Sequence, residues 1–306
     1  MLPVGNRNGI PCGPYYQGDT KYAQWEAEYP DWTGGQAPAF ASTILARLAA
    51  MKANNQQMIL GLQGNSASFK TGGLFDFTKW KANLDANYAK GIESYIEDGT
   101  IMGNYMIDEP KAPGSWGGVC VDNQQLDDMA AYSKSRWPTL PCVIRSEPET
   151  LITNATAACG PWPGGFVWEH ADAAWATYLN RKGNPDTYMA GAYGYAEQQN
   201  LNLVTGMNWR DGGDGTSGVQ SWPDGDGKSF WWCMSPSEVT TYSIAVLNPI
   251  YPRLAAFFMW KLVDADSTGS ELECLDYWNS APMQAAFDDL KDLCASRPKF
   301  YLLRRL

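Results

Sequence analysis

From residue 40 onward the apolar positions alternate between two periods. "FASTILARLAAMKANN" carries apolar residues at helical spacing, and the "MILGL" that follows is a continuous apolar run, too short for a helix. "FDFTKWKANLDANYAKGIESYIEDG" returns to the helical period, and "TIMGNYMIDEP" is again strand-like. The alternation continues through "NQQLDDMAAYSKSRWP" (helix), "LPCVIRSEP" and "DAAWATYL" (strands), "TYMAGAYGYAEQQN" (helix) and "LNLVTGMNW" (strand). "SPSEVTTYSIAVLN" opens on Ser235 and Glu238 at capping-box spacing, "RLAAFFMWKLVD" is a strand, and "APMQAAFDDLKDLCAS" is the final helix.

Strands apolar on both faces, separated by helices, specify a parallel sheet. Six are plain, and the first sixty residues supply two more, one in "GIPCGPYY". Eight such units close into a (β/α)8 TIM barrel, α/β in class, with long loops at the C-terminal face. An open doubly wound sheet is the alternative, but it would want a glycine-rich phosphate loop, and no such motif occurs. The predicted strands are β1 (10–16), β2 within 17–38, β3 (57–63), β4 (100–108), β5 (140–146), β6 (173–178), β7 (201–208) and β8 (254–261). No linker or repeat divides the chain, so residues 1–306 are read as one domain, with 210–232 as a long glycine- and aspartate-rich loop.

Chemistry in such a barrel sits at the C-terminal strand ends. There β4 ends on two adjacent acids, Asp108 and Glu109, followed by Pro110. Adjacent residues of a regular strand point to opposite faces. A kink before Pro110 would turn both to the mouth, where mutual repulsion raises one carboxyl pKa, as a general acid needs. A capping aspartate beside a rim salt bridge is the purely structural alternative.

"YMIDEP" resembles the β4 ending of the (β/α)8 glycoside hydrolases whose acid/base glutamate lies there. The best-known members have Asn-Glu-Pro; here Asp108 stands for the asparagine. The resemblance implies a carbohydrate substrate, Glu109 as proton donor, and Asp108 as a binder of a sugar hydroxyl or a helper of the second carboxylate. It also implies a glutamate at the end of β7, where this chain has "TGMNWRDGG" and none. Asp211 in that segment and Glu147 after β5 are equal candidates for the second carboxylate, with Glu169 and Asp264 further choices. A retaining enzyme needs that carboxylate about 5–5.5 Å from the acid, an inverting one about 6.5–9.5 Å.

Flat aromatic faces and planar polar groups bind sugars. Strand ends and loops supply Trp116, Trp162, Trp168, Trp175, Tyr178, Asn208, Trp209, Trp222, Trp231, Trp232 and Trp260, of which Trp209, Trp222 and Trp260 are the strongest candidates. Arg145 and Lys261 end β5 and β8; they either pair with Asp108 and Glu109 or read the carboxylate of an acidic sugar.

The net charge of −10 argues against nucleic acid and anionic membranes, and no apolar run is long enough to span a bilayer. One histidine, His170, and seven cysteines without CxxC spacing argue against a metal site, and no cofactor motif is present. Low charge, abundant Trp, Tyr and Gly, and the cysteines suit an extracellular or periplasmic protein whose leader is not part of this chain. Strand order brings Cys120 beside Cys159 and Cys233 beside Cys274 in neighbouring loops, predicting two disulfides, with Cys274–Cys294 competing. Cys12, Cys142 and Cys294 are expected as packed thiols. A glycoside hydrolase is the first reading. A barrel without hydrolytic activity, serving to bind carbohydrate or as a cell-surface structural protein, is the second. An isomerase or aldolase, with Lys261 as its only strand-end lysine, is the third. Oligomeric state is not legible in the sequence.

Overall fold

The computed structural model describes residues 9–15, 31–152, 159, 166–223, 230–247, 251–260 and 276–298. Eight strands form one sheet: β1 (Cys12–Pro14), β2 (Gly34–Pro38), β3 (Gln57–Gly61), β4 (Ile101–Asp108), β5 (Cys142–Arg145), β6 (Ala173–Tyr178), β7 (Asn202–Met207) and β8 (Leu254–Met259). Each pairs in parallel with its neighbours in chain order from β2 to β8, and β8 pairs with β1. Between β1 and β2 the ring closes through one parallel bridge, Tyr15 to Gln36, and a hydrogen bond from Thr33 N to Cys12 O (3.1 Å). A Cβ on Gly13 would lie 1.8 Å from Gly34 O, so only glycine permits this backbone approach.

Helices α1 (Ile44–Ala53), α2 (Phe77–Tyr88), α3 (Asn123–Arg136), α4 (Pro185–Gln198), α5 (Pro236–Val246) and α6 (Ala281–Ser296) follow β2, β3, β4, β6, β7 and β8. Among the described residues a short helix, Pro148–Ile152, follows β5. The predicted Ser235/Glu238 capping box starts α5, and Asp122 with Gln125 makes a second at α3. The helical pattern predicted over 75–99 is two helices, because Gly91 (φ +68°) turns the chain between Tyr88 and the short helix Glu93–Glu97. Within 210–232, read from sequence as loop, Gln220–Pro223 and Phe230–Trp232 pair as an antiparallel hairpin.

Strand alternation sorts the core into two layers. Tyr15, Ile59, Tyr105, Val143, Trp175, Val204 and Phe258 fill the inside of the barrel. Met58, Leu60, Met106, Ile144, Ala176, Leu203 and Phe257 point outward against Leu48, Leu84, Leu126, Met189, Val246 and Leu290 of the helices. Burying each large apolar side chain contributes about 1.5–3 kcal/mol before the entropy of ordering it is counted.

The alternation in β4 breaks at Met102, opposite β3, and again at Met106, opposite β5. Tyr105 pairs with Val143 but Ile107, not Met106, pairs with Ile144: a bulge. Met106 and Ile107 therefore both belong to the outer layer, while Tyr105 and Asp108 both face inward. Side chains satisfy the disturbed backbone: Gln63 Nε2 donates to Tyr105 O (2.7 Å) and Trp80 Nε1 to Met106 O (2.9 Å).

Candidate active site

The C-terminal strand ends open onto a cleft of about 530 Å³. Asp108 and Glu109 enter from β4, Arg145 and Glu147 from β5, Trp175 and Thr177 from β6, Asn208 and Asp211 from β7, and Trp260 from β8. Trp231, Arg181 and Lys182 complete its outer wall.

Two backbone features bring the paired acids to one side. The bulge turns Asp108 inward, and Glu109 adopts φ +42°, a left-handed conformation uncommon for a side chain and more so before proline. Its carbonyl is held by Trp116 Nε1 (3.0 Å) and Ala112 N (3.0 Å). Both carboxylates consequently meet one guanidinium. Arg145 Nη1 bonds Asp108 Oδ1 and lies 3.1 Å from Glu109 Oε1. The guanidinium also sits over the rings of Tyr15 (5.0 Å) and Trp260 (5.5 Å). Burial draws the Arg145 pKa down, but Tyr105, Tyr15 and the two carboxylates outweigh it and hold it well above the ordinary value. Tyr105 Oη donates to Asp108 Oδ1 (2.7 Å) and contacts Tyr15 Oη (2.9 Å). Burial, then the Asp108 charge, pushes the Tyr105 phenol well up, so it remains a donor.

The two second-carboxylate candidates line the same cleft but differ in engagement. Glu147 uses both oxygens: Oε1 accepts from Lys182 Nζ and Thr177 N (3.2 Å), and Oε2 from Tyr188 Oη (2.8 Å). Asp211, which also lines the cleft, accepts at Oδ1 from Ser221 Oγ (2.8 Å), and the same oxygen lies 3.6 Å from Arg210 Nε. Its backbone N donates to Asn208 Oδ1 (3.0 Å).

Two candidate sugar binders are displaced by strand geometry. Trp209 is fully buried against Trp278 (4.7 Å) in the outer layer, because Asn208 takes the inward position. Tyr178 is also fully buried, outward on β6, packed on Tyr188 and Tyr242 with its hydroxyl on Gly183 O. Trp260 and Asn208 do line the cleft. Trp116 and Trp168 are core residues. Glu169 and His170 lie on an exposed loop whose amides bond Asp127, away from the cleft. Lys261, Asp264, Trp162 and Cys274, and the side chain of Trp222, fall outside the described residues. Sequence reasoning missed Tyr15, Tyr105, Gln36, Gln63, Arg181 and Lys182. Tyr105 stands three residues before Asp108, a signal readable only once the bulge is known.

Cys120 is bonded to Cys159 (Cα–Cα 5.0 Å), Cys233 is disulfide-bonded, and Cys12, Cys142 and Cys294 are buried free thiols. The Cys120–Cys159 bond ties the β4 loop, where Val121 N donates to Pro110 O (3.0 Å) and Lys111 Nζ to Val121 O (2.8 Å).

The barrel has counterparts among solved structures. The family 10 xylanase of Thermobacillus composti superposes with a TM-score of 0.51 at 10% identity, over 93% of this chain and 97% of that one. A family 39 glycoside hydrolase from Bacteroides cellulosilyticus WH2 gives 0.55 at 8% identity over 94% of this chain, which spans 64% of that protein. At such identity the likeness defines the fold, a (β/α)8 barrel of the kind glycoside hydrolases use. No family model and no curated protein matches the sequence.

Proposed function

We propose that this protein is a glycoside hydrolase acting on a poly- or oligosaccharide, with Glu109 as general acid and Asp211 as the second carboxylate. One observation carries the reading: a bulge and a left-handed residue together turn both acids at the end of β4 into an open, aromatic-walled cleft that also holds Asp211. A purely structural acid pair would not need that backbone. In this reading Glu109 gives its proton to the departing glycosidic oxygen as the anomeric C–O bond breaks. Asp108, fixed by Tyr105 and Arg145, orients a sugar hydroxyl and keeps the guanidinium in place. Asp211 is favoured over Glu147 because Glu147 has both oxygens occupied. Attack by Asp211 on the anomeric carbon gives retention, and activation of water by it gives inversion. NMR of the anomer first formed distinguishes the two.

The rival reading, carbohydrate binding without hydrolysis, draws on the lack of a glutamate at the end of β7. Glu109→Gln separates them. It keeps size and hydrogen bonding but removes the transferable proton. The hydrolase reading expects hydrolysis of xylan, mannan or glucan substrates to fall at least a hundredfold, with oligosaccharide binding kept and the melting temperature within a few degrees. If the wild type hydrolyses none of these polymers, or the variant remains active, the assignment fails. The Cys120–Cys159 bond and the disulfide state of Cys233 support an oxidising compartment, hence an extracellular or periplasmic protein, with Cys274 as the partner of Cys233. Mass spectrometry of a non-reduced digest tests that pairing.

A further inference from the structure

The turn after β6, Asn180–Lys182, carries two cations into the outer wall of the cleft. They are engaged differently. Lys182 Nζ bonds the Glu147 carboxylate and Thr177 O (2.6 Å), so its charge is neutralised within the protein. Arg181 is exposed and pairs with no carboxylate among the described residues. Its guanidinium instead lies 4.2 Å from the ring centre of Trp231, on the hairpin that also lines the wall.

Both partners of that stack sit on held backbone. Asn180 N donates to Gly212 O (2.8 Å), Tyr242 Oη to Asn180 Oδ1 (2.9 Å), and Gly183 N closes the turn on Asn180 O (2.9 Å). Beside Trp231, Trp232 O accepts from Gly213 N (2.9 Å) and Cys233 is disulfide-bonded. Stacking occupies the flat face of a guanidinium and leaves the N–H donors along its edge free. A planar fork of that kind matches a carboxylate, which it binds through two parallel hydrogen bonds. The acids of the cleft do not supply one: Asp108 and Glu109 share Arg145, and Glu147 holds Lys182. The chain's net charge of −10 repels a glycan charged on every ring, so the anion that suits Arg181 is an isolated one.

We propose that Arg181 reads the carboxylate of a uronosyl unit on an otherwise neutral glycan, which makes sparsely acidic polysaccharides the substrate class. This deepens the hydrolase reading and rests on it for the ligand being a glycan. The test is calorimetric titration in the Glu109→Gln background with three acidic sugars: xylohexaose bearing one glucuronosyl branch, and mannohexaose and cellohexaose each carrying one C6 carboxylate. Each is compared with its carboxyl-reduced neutral form. At least one acidic form should bind about tenfold tighter than its neutral form, and Arg181→Gln should remove that difference. Equal binding of the two forms, a preference that survives Arg181→Gln, or no binding of any acidic form overturns the assignment and leaves the hydrolase to its own test. An equal loss for both forms in Arg181→Gln also overturns it, since the side chain would then only support Trp231. Tighter binding of a form sulfated at the same position, lost in Arg181→Gln, overturns the carboxylate. An Arg181-dependent acidic preference in a protein whose wild type hydrolyses nothing keeps the carboxylate reader and removes the hydrolase.

Discussion

With φ at +42° immediately before a proline, Glu109 occupies backbone space that suits glycine and disfavours a side chain. Such residues persist where the surrounding structure over-determines them, and here the Trp116 and Ala112 hydrogen bonds to its carbonyl do so. Glu109→Gly should therefore raise stability, by about 1 kcal/mol in urea titration, while abolishing activity. Loss of stability would show that the Arg145 contact outweighs the backbone strain. Two residues on, Lys111 is buried beside the cleft, and burial lowers its amine pKa to about 7 despite the Asp122 charge. The unfolded chain binds that proton up to its ordinary value of 10.5. Between these limits the unfolded state holds more protons, so the cost of the buried charge is full below about pH 7 and relieved as pH rises. The difference in unfolding free energy between wild type and Lys111→Met should drift in favour of wild type from pH 7 to 10.5. A flat difference would place the charge in contact with water.

Most of the barrel's elements were legible in sequence because their period is local. β3 to β8 were expected within a few residues of where they run, and β2 lies inside the interval left open for it. Facing was less legible. Counting by twos from Tyr105 sends Asp108 outward; the bulge at Met106 reverses this, and nothing in "NYMIDEP" announces it. The signal lies elsewhere in the chain, in the indole of Trp80 and the amide of Gln63 that take up the displaced carbonyls. The same difficulty misplaced Trp209 and Tyr178, whose positions follow from whether the inward count holds to the strand's last residue. Trp80→Phe should remove one hydrogen bond from the bulge and cost about 1–3 kcal/mol in thermal unfolding. It should also lower kcat through Asp108, although Trp80 touches no part of the cleft. Normal kcat with reduced stability would confine the bulge to a packing role. In the loop that follows, Cys120 and Cys159 enclose a separation of 39 residues, for which chain entropy allows about 4 kcal/mol as an upper limit. Cys120→Ser with Cys159→Ser should lower the melting temperature and reduce activity together, since the tied loop carries Pro110 and Lys111.

At the scale of the molecule, a net charge of −10 leaves no field that would gather polyanions. The protein should pass through heparin resin at low salt, and retention there would redirect the search toward sulfated glycans. No described helix is long and apolar enough to cross a membrane. What the whole chain builds, and no single segment displays, is a mouth in two lobes divided by Asp108.

The ring of strands is joined unevenly. Among the described residues seven of its seams carry a ladder, whereas β1 meets β2 through one bridge and the two hydrogen bonds between Cys12 and Thr33. Opening fluctuations should be cheapest there, so the Thr33 amide should exchange with deuterium sooner than the ladder amides of β6 and β7. Tyr15 and Gln36, the bridging pair, also line the second lobe. Substrate drawn against Asp108, which Tyr105 joins to Tyr15, would act as a clasp on that joint, slowing deuterium uptake at Thr33 far from any bond that is broken.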